Sequence, residues 1–177
     1  RHQNRYRYHH LFGEFLQLEQ QRRDPNRYRQ ICDRAARRCE QNGHITEAIQ
    51  YALEGGHFIQ ATDLIAKHAL DLSQKKGDYF TILNWMRRLP EQYQNGRPEI
   101  LLSHAWSLAF SRHDPTAREL IHRVQDQLLT PGAGQWKLAD DAREHWILVA
   151  QVTLAVIDAA ADHIDACLEA SRRLIGQ

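Results

Sequence analysis

Strand signals are nearly absent from this chain. Beyond the first few residues no run alternates apolar and polar positions, so a sheet-based fold is not expected. Long apolar runs are missing as well. The longest, Trp146 to Ala161, is interrupted by Gln151, Thr153 and Asp158; it is too short and too polar to span a bilayer and reads as a buried helix. Cysteine is scarce: Cys32, Cys39 and Cys167 form an odd set without paired spacing, which points to a reduced, cytoplasmic protein rather than a disulfide framework. On a shared helix Cys32 and Cys39 would stand about 10 Å apart along the axis, beyond the roughly 7 Å that a disulfide tolerates between Cα atoms. No secretory signal opens the chain, which starts at Arg1 rather than Met and is expected to be part of a longer protein.

Catalytic signatures are lacking too. There is no Gly-x-x-x-x-Gly-Lys phosphate loop, no Gly-x-Ser-x-Gly elbow, no Cys with an adjacent His base and no pair of carboxylates framed by apolar residues. The segment is therefore expected to be no enzyme and to hold no cofactor. Eleven histidines invite a metal reading, but His163 and Cys167 are alone in having helical ligand spacing and no further pair joins them, so no metal site is expected.

What is present is helical. The 177 residues, 42% hydrophobic and 25% charged, suffice for one domain or one run of repeats with a buried interior. Charge is unevenly spread: residues 1–38 hold ten Arg against four acids, and residues 39–177 hold thirteen basic against eighteen acidic residues. A basic front thus precedes an acidic body. Apolar residues recur at three and four, first as Leu11, Phe12, Phe15, Leu16 and then as Tyr28, Ile31, Cys32, Ala35, Ala36, Cys39. Asp24-Pro25 supplies a cap and a first helical residue, and Asn42-Gly43 a stop.

The same grammar repeats. Turns at Gly43-His44, Gly55-Gly56-His57, Gly77-Asp78, His113-Asp114-Pro115 and Ala161-Asp162 each precede an amphipathic run. Four residues after a turn residue comes a small or apolar one: His44 to Ala48, His57 to Ala61, Asp78 to Ile82, His113 to Ala117 and Asp162 to Ala166. Such a residue lies on the same helical face and lets two antiparallel helices approach closely. Starts spaced by 13, 21, 35 and 49 residues describe a degenerate helical-hairpin repeat with unequal arms. The spacing predicts helices over 9–22, 26–41, 45–54, 57–74, 78–88, 98–112, 115–129, 136–159 and 162–175, with loops at 90–98 and 130–135 and no long flexible linker.

These residues carry a resemblance. Tyr6-Arg7-Tyr8-His9-His10-Leu11-Phe12-Gly13-Glu14-Phe15-Leu16 resembles the signature closing the winged-helix part of MalT-like, LuxR-family transcriptional regulators. Asn42-Gly43, Glu47-Ala48-Ile49, Tyr51-Ala52-Leu53, Gly56, Phe58, Ala61 and Leu64-Ile65 follow as in that family, although Tyr51 stands where His is usual. Leu83, Trp85, Leu89-Pro90, Arg97-Pro98, Ile100, Leu102 and Ala105-Trp106 resemble its next hairpins. Arg38 and Cys39 depart from an aromatic pair usual before Asn42-Gly43. The likeness spans most of residues 5–125. It implies an all-α fold, with a winged-helix remnant over 1–23 and a TPR-like (tetratricopeptide-like) hairpin segment over 24–177. A LuxR-type helix-turn-helix is absent, so DNA would be reached only through a part of the regulator outside this chain. The implied function is sensing: a small-molecule inducer or a regulatory protein binds here and shifts the regulator between states that differ in affinity for it. Contacts with other domains of the regulator and self-association are also implied, and a membrane is not.

Candidate contact residues follow. Trp85, Trp106, Trp136 and Trp146 fall in four predicted helices, where large aromatics either fill the seam between hairpins or line a concave binding face. The family spacing favours seam packing for Trp85 and Trp106, while Trp136, beside a Gly-rich loop, is the candidate for exposure. With Tyr51 these three make up the candidate ligand- or partner-binding set. Arg1, Arg5 and Arg7, interleaved with Tyr6 and Tyr8, suit either phosphate and base contact or an interdomain surface. Arg22, Arg23, Arg27, Arg29, Arg34, Arg37 and Arg38 read as the wet face of two helices. A generic TPR-like protein–protein interaction scaffold is the alternative to sensing, and nucleic-acid contact through the basic front is a further one.

Overall fold

The computed structural model describes residues 10–111, 114–130, 136, 138–160 and 172. Among them every regular element is helical: α1 (His10–Arg23), α2 (Pro25–Gln41), α3 (Ile45–Glu54), α4 (Phe58–Lys76), α5 (Tyr79–Arg88), α6 (Glu91–Gln94), α7 (Pro98–Ala109), α8 (Asp114–Leu129) and α9 (Asp140–Ala160). The expected helix 162–175 lies outside the described residues. None of the described helices is long and apolar enough to cross a membrane. The chain divides into two compact units, residues 1–57 and 58–177.

In the first unit α2 packs against α3. Asp24 caps α2 by accepting a hydrogen bond from the Arg27 amide at 2.9 Å, and Pro25 sits where a missing N–H costs nothing. At the other end Gly43 takes φ 76°, and the amides of His44 and Gly43 close on the carbonyls of Cys39 and Glu40 at 2.8 and 3.0 Å. The next turn repeats this pattern: Gly56 has φ 70°, and His57 and Gly56 close on Ala52 and Leu53 at 2.8 and 3.2 Å. Both ends are Schellman closures, which satisfy carbonyls the helix leaves open and favour glycine in the left-handed position. Cys32 and Ala36 of α2 and Ala48, Ile49, Ala52 and Leu53 of α3 are buried. The turn lies hard against α2. A Cβ on Gly55 would stand 2.7 Å from Cys32 Cβ, and His57 Nε2 is 3.0 Å from the Arg29 carbonyl.

In the second unit α7 is central and packs against α4, α5, α8 and α9. Leu101, Leu102 and Ala105 of α7 share one core with Ala117, Leu120, Ile121, Val124 and Leu128 of α8 and with Ala150 and Ile157 of α9. Ser103 and Ser107 are fully buried on α7. Each returns its hydroxyl to its own helix, to Ile100 O at 2.9 Å and Ser103 O at 2.8 Å, so burial leaves neither unpaired. Arg118 of α8 and the buried Asp158 of α9 form an ion pair across the core edge.

The turn-plus-four rule holds wherever it falls on described residues: Ala48, Ala61, Ile82 and Ala117 are all completely buried. Ala166 lies outside them. Two expectations need correction. The span 90–98 is not all loop, because α6 forms within it; Gln94 Nε2 reaches back to the carbonyls of Met86 at 2.9 Å and Leu89 at 2.6 Å, capping the open end of α5. The last described long helix starts at Asp140 rather than 136, with Asp140 and Asp141 in its first turn, where acids suit the positive end of the helix dipole.

Candidate functional site

Where α5 begins and α7 ends, three aromatic rings form a ladder. Asp78 caps α5 by accepting from the Thr81 amide at 3.2 Å, which fixes Tyr79 as the first residue of the helix. Phe110 is the C-cap of α7, and Trp106 lies one helical turn before it. Tyr79 stacks on Phe110 with centroids 5.2 Å apart and planes 15° apart; Trp106 meets the same ring at 5.2 Å and 31°. Phe110 keeps 39% of its surface exposed, and Phe80, next along α5, keeps 75%. Such rings present large, stiff apolar area at small entropic cost, which is what a recognition surface needs.

Some side-chain polar atoms are buried without hydrogen-bond partners. Among the described residues they are Trp106 Nε1, His104 Nδ1 and Glu99 Oε2 on α7, with Arg118 Nη2 and Gln127 Oε1 on α8. Burial pushes the His104 imidazole down to about 4, so it is neutral at ordinary pH. No group of three or more His, Cys, Asp or Glu among the described residues could hold a metal ion, and the His163–Cys167 pair lies outside them. A shallow groove of about 560 Å³ runs along α9 past Asp141, Glu144, His145, Ile147, Leu148 and Gln151.

The sequence-derived residues part company here. Trp106 is half-buried and belongs to the ladder. Trp85 is 3% exposed, inside the second unit beside Ile82 and Met86, and offers no free ring. Trp136 is a correction: it is 8% exposed, joins the core cluster, and lies before α9 rather than in it. Its indole N–H donates to the Asn95 carbonyl at 2.9 Å, so the polar edge that a loop position would have left to solvent is satisfied inside. Trp146 is half-buried against the same cluster, with His145 edge-on at 4.9 Å. Tyr51 belongs to the first unit and is half-buried; burial first, then the neighbouring Cys39, Glu54, Cys32 and Glu47, push its hydroxyl up. Arg1, Arg5 and Arg7 lie outside the described residues. Tyr79, Phe80 and Phe110 were missed by reading the sequence. Their signal was weak but present, since a Tyr-Phe pair directly after a capping Asp cannot put both rings on one buried face.

No family model matches the chain, and no solved structure does. Among curated proteins it is 25% identical over 162 residues, 92% of its length, to the serine/threonine-protein kinase PknK of Mycobacterium tuberculosis. It is 26% identical over 156 residues, 88% of its length, to the HTH-type transcriptional regulator AlkS of Ectopseudomonas oleovorans. The AlkS protein of Pseudomonas putida is 28% identical over 123 residues. The chain spans only 14% of the kinase and 17% of the first AlkS protein. It is thus a distant relative of one modest stretch within much longer proteins, one kind a kinase and the other a transcriptional regulator, and this similarity supports a regulatory role.

Proposed function

We propose that this chain is the sensing and interaction segment of a cytoplasmic, MalT-like, LuxR-family transcriptional regulator, a TPR-like run of hairpins behind a winged-helix remnant. One observation carries the proposal: most of the chain aligns with both a kinase and HTH-type transcriptional regulators. A stretch common to proteins with such different outputs is best suited to input, the binding step that either output obeys. Its part is recognition, not catalysis. The exposed rings of Phe80 and Phe110 are the contact surface, and their openness favours a regulatory protein or peptide over an enclosed small inducer. Binding shifts the regulator only as far as the partner prefers one state to the other.

The test is titration of the chain with candidate inducers and regulatory proteins by calorimetry and thermal melting, alongside Phe80→Ala and Phe110→Ala. The expected result is a heat and a melting shift that both variants weaken. Binding that neither variant alters would move the site away from these two rings. The absence of any heat or shift across the panel would count against sensing by this segment.

A further inference from the structure

Five arginines on α1 and α2, Arg22, Arg27, Arg29, Arg34 and Arg38, are exposed and make no ion pair among the described residues, whereas Arg23 and Arg37 are held by Glu19 and Asp33 at 2.7 and 3.0 Å. Three of these five belong to one row. At about 100° per residue, Arg27, Arg34 and Arg38 fall within roughly 40° of one another on the surface of α2. Arg37, with its acid, lies about 80° away from Arg27 around the helix, and the buried Cys32 and Ala36 lie farther round. Along the axis the row steps by about 10 Å and then about 6 Å. It is a straight basic edge on one helix, and no acid pairs with it among the described residues.

We infer that this edge of α2 docks an acidic helix of a partner protein. Its steps of seven and four residues are those at which another helix repeats side chains along one line, so carboxylates spaced by seven and four residues would meet all three guanidiniums at once. Each contact would be a charge-assisted fork of the kind arginine forms with carboxylate. Nucleic acid fits less well. The row carries no aromatic ring on which a base could stack, since Tyr28 is half-buried beside the packed face. Charge complementarity at such an edge acts mainly on partner choice and capture rate and weakens as salt rises.

The experiment uses the whole chain and three fluorescent probes at low ionic strength, read by anisotropy. The first probe is a synthetic helical peptide with glutamates in a row at seven- and four-residue steps. The second has the same composition with its glutamates dispersed around the helix, and the third is a short DNA duplex. Three exposed pairs each worth about twofold multiply to roughly tenfold, so the row peptide is expected to bind about tenfold tighter than the dispersed one. The triple variant Arg27→Glu, Arg34→Glu, Arg38→Glu should erase that preference, and Arg37→Glu should keep it. Circular dichroism of both variants establishes that α2 still folds. Equal binding of the two peptides, an undiminished preference in the triple variant, or tighter binding of the duplex than of the row peptide would each overturn the inference.

Discussion

The indole N–H of Trp136 donates to the backbone carbonyl of Asn95 across 41 residues of sequence, at 2.9 Å. Asn95 in turn accepts from Arg123 through its side-chain oxygen at 2.8 Å, so one residue after the short α6 ties the approach to α9 to the middle of α8. Trp136→Phe keeps most of the apolar burial and deletes the donor, and should lower unfolding free energy by about 1 kcal/mol. Trp136→Ala should lower it by roughly 3–5 kcal/mol, because it empties a core position. Urea denaturation of both variants measures the difference. Equal losses would mean that the hydrogen bond contributes everything and the ring nothing.

The four turn-plus-four residues that are described, Ala48, Ala61, Ile82 and Ala117, are completely buried, which leaves no room for growth. Ala117→Leu, beside Ile121 and Leu120 in the core of the second unit, is expected to cost about 1–3 kcal/mol through overpacking. A thermal melt that fails to move would show that the core there yields more than its burial implies.

Gly55 and Gly43 separate two reasons for needing glycine. Gly55 has an ordinary φ of −77°, but a Cβ there would meet Cys32 Cβ at 2.7 Å and His57 Cδ2 at 2.6 Å. Gly43 has open space around it and a φ of 76°. Gly43→Ala should cost about 1 kcal/mol from backbone strain alone. Gly55→Ala should cost more, since the turn must lift off α2. Chemical denaturation ranks them, and the reverse order would place the strain in the backbone rather than in the contact with α2.

His104 gives the second unit a pH dependence of known sign. Burial holds its folded value at about 4, against 6.5 for the free side chain. Between those values the unfolded chain binds the extra proton and the folded one does not. Stability is therefore highest above pH 6.5 and falls as pH drops toward 4, by a total of order 3 kcal/mol from this group. Below pH 4 His104 adds no further loss. Denaturation midpoints across that range for the chain and for His104→Gln test this, the variant being expected to show a flatter profile.

Much of the fold could be read from the sequence because its signals are local. Asp24-Pro25 and Asn42-Gly43 mark the ends of α2 through bonds that span five residues or fewer, and Ala48, Ala61 and Ala117 declare their burial by a fixed offset from a turn. Trp136 could not be read that way. Its fate depends on a backbone carbonyl far along the chain, and carbonyls are alike at every residue. The same holds for α6, stabilised by Gln94 reaching back to α5. The ladder was legible only at Trp106; Tyr79 and Phe110 meet because α5 and α7 are neighbours in space, a relation that helical periodicity does not encode.

The glycine endings of α2 and α3 leave each helix finished by its own backbone, with no outside group required to complete it. Where a helix stops is therefore settled independently of how far upstream it began. The Schellman bonds that close α2 span only residues 39–44 and make no demand on its upstream end. Arms of 17 and 10 residues can then meet at one hinge: the corner is set by its own backbone bonds, whatever the length of the helix that leads into it.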